Sequence, residues 1–388
     1  MLHSALVNSP VGAEMVTVLP DVETMITVLY FGLFAMSFDF ISGYTGYLSF
    51  GHAAFYGTGA YFVVLASNGK IPVLGTGTPF VYLLILAGLA AAVLAVLIGA
   101  VSFRLSGVYF AMITLGFSQV LYVFVRDWDY VGSNPRDGPA VLERTEPFSV
   151  GVPGVDSLDL AIGQLAGDSI EGFLGFLSFG TTEVSYYMIG LVVLVCYFAM
   201  QRIIHSPFGK VLVAIRENEE RAEAVGYNTF WYKLGAFAIS AFFAAVAGGL
   251  FAGFQRSVSP ESSFYFLVTG DALLASIIGG FGTLAGPLYG WLFDETVTEF
   301  LSKAGEGGGL LPYLRDHLGE ATMTTELYNG LTVGQAIDTF LNGHAELYVG
   351  VIFVLFVLFV PNGLLGTVRD RLGGPVGKQV AARLRGDE

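Results

Sequence analysis

The stretch FVYLLILAGLAAAVLAVLIGAVSF (Phe80–Phe103) contains no Asp, Glu, Lys or Arg. About 20 mostly apolar residues suffice for an α-helix to cross roughly 30 Å of hydrocarbon, so this stretch reads as a membrane span. Working outward from it, the same pattern recurs. Residues 40–69, 105–125, 184–201, 234–255, 272–293 and 347–368 are also free of those four residue types. Residues 24–38 form a shorter apolar run that becomes a span if it continues past Asp39. The Gly-rich stretch 264–303 is long enough for two crossings with a break near Gly279–Gly282. About nine segments follow: 23–42, 51–68, 79–101, 106–125, 183–201, 231–254, 264–281, 284–302 and 345–365. None shows the short alternating strands of a transmembrane barrel. The fold class is therefore all-α, a polytopic transmembrane helical bundle of about nine spans with interrupted Gly-rich helices.

Composition agrees. Of 388 residues, 54% are hydrophobic and 13% are charged, about half the charge of a soluble domain. The 32 Asp and Glu outnumber the 18 Lys and Arg, for a formal net charge of −14, which excludes a basic nucleic-acid binder. The high apolar content excludes disorder. One cysteine, Cys196, excludes a disulfide framework and a cysteine zinc site.

Orientation follows from Lys and Arg, which concentrate on the cytoplasmic side. Arg202, Lys210, Arg216, Arg221 and Lys233 form one cluster, and Arg369, Arg371, Lys378, Arg383 and Arg385 form another in the tail. Both are expected inside. That places segment 1–22 outside, the transmembrane domain at 23–365 and a cytoplasmic basic tail at 366–388. Within the domain, outer loops run at 126–182 and 303–344, and a cytoplasmic loop at 202–230. Residues 1–69 lack Lys and Arg, which suits an outside N-terminus and argues against a cleaved leader. The apolar patch FLGFLSFG (Phe173–Gly180) is expected on the membrane surface. The acid-rich outer loops predict a protein that works in high salt, where the Debye length at 1 M is only about 3 Å.

The cytoplasmic loop carries the most information: SPFGKVLVAIRENEERAEAVGYNTFWYKLGAF (Ser206–Phe237). Ser206-Pro207 is a helix-start signal. Residues 210–225 are expected as one amphipathic helix with Val211, Ala214 and Ile215 on its apolar face. Gly226 with Asn228 would end it through left-handed conformations. This is either a docking surface or simply a solvated loop shaped by topology.

These residues resemble the branched-chain amino acid ABC importer permeases of the LivM type, which carry an SPFGR…AIRE…AEA-x-G segment followed by YKL. Here it reads Ser206-Pro207-Phe208-Gly209-Lys210, Ala214-Ile215-Arg216-Glu217, Ala222-Glu223-Ala224-Val225-Gly226 and Tyr232-Lys233-Leu234. Resemblance extends to GYTGYLSFGHAAFYGTGAY (Gly43–Tyr61), YFAMITLGF (Tyr109–Phe117) and GGFGTLAGP (Gly279–Pro287). Glu220-Arg221, before Ala222, depart from the small residues frequent there. The resemblance implies a permease subunit of an ATP-driven importer of branched-chain amino acids, coupled to the ATPase through Ala214, Ile215, Arg216, Glu217, Glu220, Glu223 and Gly226. It implies two ATP-binding subunits, a second related permease subunit and an extracellular substrate-binding protein, beside membrane lipid. Urea, short-chain amides or another small solute are alternative cargoes, and an ATP-independent channel or secondary transporter is the alternative mechanism. No cofactor or catalytic group is expected. There is no G-x-x-x-x-G-K-[ST] phosphate loop, no HExxH metal site and no nucleophile with a base beside it.

Polar residues within spans are the pathway candidates, because a charge in lipid is costly unless it faces protein or water. They are Ser49, His52, Thr114, Asp271 and Thr283, joined as candidates by Gly279, Gly280 and Gly282 at the helix break. His52 is read either as a polar group beside the route or as a packed ring bonding a carbonyl. Asp271 reads as a first-turn carboxylate at a broken helix. Gly43–Tyr61 and Gly279–Phe293 share a Gly-rich, interrupted character, which in inverted-repeat transporters points to the transport path.

Overall fold

The computed structural model describes residues 20–72, 74, 78–131, 136, 138–139, 149–152, 155–159, 170–173, 177–179, 181–302, 322–328, 331–341, 345–360 and 363–367. Residues 1–19 of the N-terminal segment, much of both long loops and all five basic residues of the tail lie outside these.

Nine helices match the nine expected segments: α1 (Val22–Thr45), α2 (Ala53–Ser67), α3 (Phe80–Ser102), α4 (Val108–Arg126), α5 (Thr181–Ile204), α8 (Thr229–Gln255), α10 (Phe266–Gly279), α11 (Gly286–Ser302) and α13 (Ala345–Phe359). Between them lie α6 (Pro207–Glu217), α7 (Glu219–Ala224), the one-turn α9 (Pro260–Ser263) and α12 (Val333–Leu341). Among the described residues, seven helical segments are long and apolar enough to cross a membrane unaided; α2 and α11 are shorter. This is a multi-pass membrane bundle.

Three short antiparallel hairpins decorate the connections: β1 (Ser149–Val152) with β2 (Val155–Asp159), β3 (Ile170–Phe173) with β4 (Leu177–Phe179), and β5 (Glu326–Tyr328) with β6 (Leu331–Thr332). Within the apolar patch Phe173–Gly180, Phe173 ends β3 and Leu177–Phe179 form β4.

Helix α3 shows how the bundle sorts its faces. Tyr82, Ile85, Leu89, Val93, Leu97 and Val101 recur every three or four residues and are exposed, as a lipid-facing stripe must be. The opposite face carries Ala87, Gly88, Ala91, Ala95 and Gly99, all buried. Small residues let helices approach closely where lipid supplies no hydrophobic driving force. A Cβ at Gly88 would lie 2.6 Å from the Phe242 ring of α8. Helices α1 and α8 are buried over most of their length and form the centre. Around them, α8 packs on α1, α2 and α3, while α1 packs on α5, α10 and α11.

Helix α2 is about 22 Å long at 1.5 Å per residue, too short to cross alone. It starts inside the bundle. His52, which precedes it, contacts Ser37, eight residues and about 12 Å back from the end of α1. The chain thus turns back into the bundle over Gly46–His52 before α2 begins. A buried helix start needs partners for its orphan N–H groups. Ala53 N donates to Thr269 Oγ of α10 at 2.8 Å, and Ala54 N to Gly51 O at 3.0 Å. The expected break after Gly279 is equally clear: α10 ends there, Gly280 (φ 121°) and Gly282 (φ 80°) turn the chain, and α11 starts at Gly286.

Candidate functional site

The site is where the two interrupted segments meet beneath α6 and α7. Ser206 caps α6, accepting from Gly209 N, with Pro207 in the first turn, as the sequence predicts. The single helix expected over 210–225 is instead two. Asn218 is extended (φ −164°, ψ 104°), ends α6, and its Oδ1 accepts from Arg221 N at 2.8 Å to start α7. An Asn side chain competing for backbone N–H groups favours a cap over continuation. The apolar face also differs: Leu212 is buried with Val211 and Ile215, whereas Ala214 is exposed. Gly226 is left-handed (φ 101°) after α7, but Asn228 is not (φ −83°), because it already stands at the start of α8.

Arg216, an exposed residue of α6, donates from Nη1 to Gly43 O, near the end of α1, in a partly buried hydrogen bond. The same side chain covers Gly46, the left-handed C-cap of α1, and Gly282 in the turn between α10 and α11, where a Cβ would lie 3.4 Å and 3.0 Å from it. Directly behind, Asp39 of α1 is fully buried and accepts from Gly282 N at 2.9 Å through Oδ1. Its Oδ2 is buried without a hydrogen-bond partner among the described residues. A Cβ at Gly43 would fall 2.5 Å from Asp39 Oδ1 and 2.9 Å from Gly282 Cα. One arginine therefore spans the ends of both interrupted segments.

A second tie anchors α7. Glu219 accepts from Tyr47 OH at 2.6 Å, from Thr229 Oγ at 2.9 Å and from Lys233 Nζ. Lys233 also donates to Tyr47 OH at 3.1 Å and lies 4.7 Å from the Tyr47 ring centroid, a cation–π arrangement. Thr229 Oγ is 2.6 Å from Glu223 Oε1 as well. Partial burial pushes the Glu219 carboxyl up, but Lys233, Tyr47 and Thr229 outweigh it and hold the carboxyl below its ordinary value of 4.5. A lowered folded-state value makes this tie complete above the ordinary value and lost as pH falls through the lowered one. Lys233→Met is expected to cost about 1.5–3 kcal/mol, the scale of hydrogen bonds to a charged group, and to flatten thermal stability against pH below about 4.5. A melting series of both proteins from neutral to acidic pH checks this; identical curves would remove Glu219–Lys233 from the anchor.

The remaining residues on α6 and α7 sort into two sets. Ile215 is buried, with Ala222 and Val211, against Tyr232. Ala214, Glu217, Glu220 and Gly226 are exposed, beside exposed Val225, Tyr227 and Trp231.

Of the pathway candidates, Ser49, His52, Thr114, Gly279 and Gly280 are buried, whereas Asp271, Gly282 and Thr283 keep some exposed surface. His52 is a packed ring, stacked on Phe34 and edge-on to Phe38 and Phe55. It bonds hydroxyls and not a carbonyl. Its Nε2 lies 3.2 Å from both Ser37 Oγ and Ser240 Oγ. Those hydroxyls give their protons to Phe34 O and Ser37 O, so they accept from His52 and Nε2 is the protonated nitrogen. Thr114 gives its hydroxyl proton to Ala111 O at 2.9 Å, and its backbone O would lie 2.0 Å from a Cβ on Gly51. Asp271 is the sixth residue of α10, not in its first turn, because the helix begins at Phe266. Thr283 Oγ donates to Gly280 O at 2.6 Å and closes the turn.

Sequence reasoning missed Tyr47, Glu219 and Lys233. The available signal was Lys233 itself, a cation one turn inside an apolar span.

A model of the family described as branched-chain amino acid transport system / permease component matches residues 22–314, which contain every residue of this site. The chain belongs to this family. Among relatives of this permease family member, the high-affinity branched-chain amino acid transport system permease proteins LivM of Salmonella typhimurium (strain LT2) and Escherichia coli (strain K12) are each 30% identical over 265 residues. Each match covers 68% of this chain and 59% of the relative's length. No solved structure matches the permease significantly.

Proposed function

We propose that this chain is the pathway subunit of an ATP-binding-cassette importer for branched-chain amino acids, with ATP hydrolysed on separate subunits docked at α6 and α7. The supporting observation is that Arg216 joins the α6–α7 element to the ends of both interrupted segments, at Gly43 and at Gly282. A short element fixed at both ends is a rigid lever, and a two-position rocking of packed helices needs one. Exposed Ala214, Glu217, Glu220, Gly226 and Trp231 offer the surface on which two ATP-binding subunits would press. In this reading α6, α7 and the basic tail are cytoplasmic and the N-terminus is outside. A second related permease subunit completes the pathway, and an extracellular binding protein delivers the cargo to acid-rich outer loops suited to high salt.

The test is reconstitution with the ATPase, companion permease and binding protein in proteoliposomes. ATP-dependent, vanadate-sensitive leucine uptake is expected, stronger at high than at low salt. Deletion of residues 212–225 is expected to abolish co-purification of the ATPase. Uptake without ATP would favour a channel or secondary transporter, urea or amide uptake without leucine would move the cargo, and full assembly of the deletion variant would sink the docking assignment.

A further inference from the structure

We propose that the last turn of α5 and the start of α6 form a binding site for the phosphate headgroup of an anionic membrane lipid. A cavity of about 680 Å³ opens there, lined by Phe198, Gln201, Arg202, His205 and Ser206. Phe198, Gln201 and Arg202 fall at i, i+3 and i+4 on one face of α5, and His205, whose backbone N–H donates to Gln201 O at 3.1 Å, follows directly at its end. That face is continuous with an exposed apolar stripe. Leu191, Leu194, Val195 and Phe198 are all at least half exposed. In a membrane-spanning helix such a stripe lies against acyl chains, and the polar turn at its end lies at the headgroup level.

The chemistry of that turn suits a phosphate. Arg202 is exposed, and no carboxylate pairs with it among the described residues. Its planar fork matches two phosphate oxygens. His205 uses Nδ1 on Gln201 O at 2.8 Å, which leaves Nε2 as its other polar atom. Ser206 gives its hydroxyl proton to Ile203 O at 2.6 Å and caps α6, whose positive end adds to the same field. In a chain of net charge −14, a cation held over an apolar stripe is complementary to one class of molecule that is anionic at one end and apolar along the other. A basic residue near the surface contributes about 1 kcal/mol toward anionic lipid, which is about a fivefold change in affinity. The argument needs only that α5 spans the bilayer; it is independent of cargo and of ATP coupling.

The experiment titrates the detergent-purified full chain with short-chain phosphatidylglycerol, phosphatidylcholine or inorganic phosphate, followed by melting temperature and native mass spectrometry. Phosphatidylglycerol is expected to bind and stabilise, phosphatidylcholine and inorganic phosphate not. Arg202→Gln is expected to weaken phosphatidylglycerol about fivefold, and Arg202→Lys, which keeps the charge but loses the fork, to fall between Arg202→Gln and the unaltered chain. Arg104→Gln, which removes another exposed arginine at a helix end, is expected to bind like the unaltered chain. Equal binding of the two lipids, an unaffected Arg202→Gln variant, or the same loss in Arg104→Gln would overturn the site. Stabilisation by inorganic phosphate alone would make it a free-anion site and overturn the lipid assignment.

Discussion

In the proposed importer, Arg216→Ala is expected to leave the chain inserted and bound to the ATPase while lowering ATP-driven uptake by at least tenfold. The guanidinium makes a charge-assisted hydrogen bond to a backbone carbonyl at the end of α1, and such bonds are worth about 1.5–3 kcal/mol. At 1.4 kcal/mol per factor of ten, that range corresponds to roughly ten- to a hundredfold in any equilibrium that needs the contact. The element α6–α7 would still be held by Glu219 and Lys233, and Val211, Ile215 and Ala222 would still pack on Tyr232. Docking should therefore survive. What would be lost is the path by which movement of α6 reaches Gly43 and Gly282 together. Arg216→Lys should recover only part of the uptake, since a single ammonium cannot both reach Gly43 O and cover the Gly282 turn. Uptake and ATPase co-purification measured on the same preparations separate the two effects. Unchanged uptake in Arg216→Ala would mean that the lever acts through Glu219 alone.

The nine helical segments were legible because a long uncharged run in a membrane protein has few other options. The Gly279–Gly282 break was legible because Gly280 and Gly282 supply the positive φ that a turn needs there. The sharper features were not, and each has a reason. Asn218 sits in RENEER, which fits an amphipathic helix as well as a cap; only the extended backbone at that residue decides between them. The start of α2 inside the bundle is invisible to periodicity, which reports faces and not depth. Asp39 reads as an isolated charge because its partner is the N–H of Gly282, 243 residues away and without any side chain to notice. The anchor of α7 joins Tyr47 to Glu219 across 172 residues, a pairing that no local pattern contains. His52 fits two readings in the sequence because its hydroxyl partners, Ser37 and Ser240, lie 15 and 188 residues away.

Gly248→Leu is expected to abolish monodisperse protein in detergent. Helices α2 and α8 cross with their backbones in near contact. A Cβ on Gly248 would lie 1.9 Å from Tyr56 O, and one on Gly59 would lie 2.0 Å from Ala245 O. Neither obstacle is a flexible side-chain end, so the two helices would have to move apart by more than an ångström. Helix α2 has nowhere to go: it is buried along nearly all its length, too short to cross independently, and its first N–H is capped by Thr269. Separating it from α8 would expose Ala53 and unseat His52 from Ser240, leaving buried polar groups without partners. Gly248→Ala brings the same Cβ without the rest of the leucine side chain and should fold with a melting temperature lower by about 1–4 °C, from about 1–3 kcal/mol of overpacking. Gly116→Ala provides the contrast. It too is a glycine within a membrane helix, but a Cβ there meets nothing within 4 Å. It should be neutral or slightly stabilising, since alanine in a helix is favoured over glycine by about 1 kcal/mol. Size-exclusion profiles and melting curves of the three variants test the crossing directly. A well-folded Gly248→Leu protein would show that α2 and α8 do not pack backbone to backbone, and that α2 is held by something other than this contact.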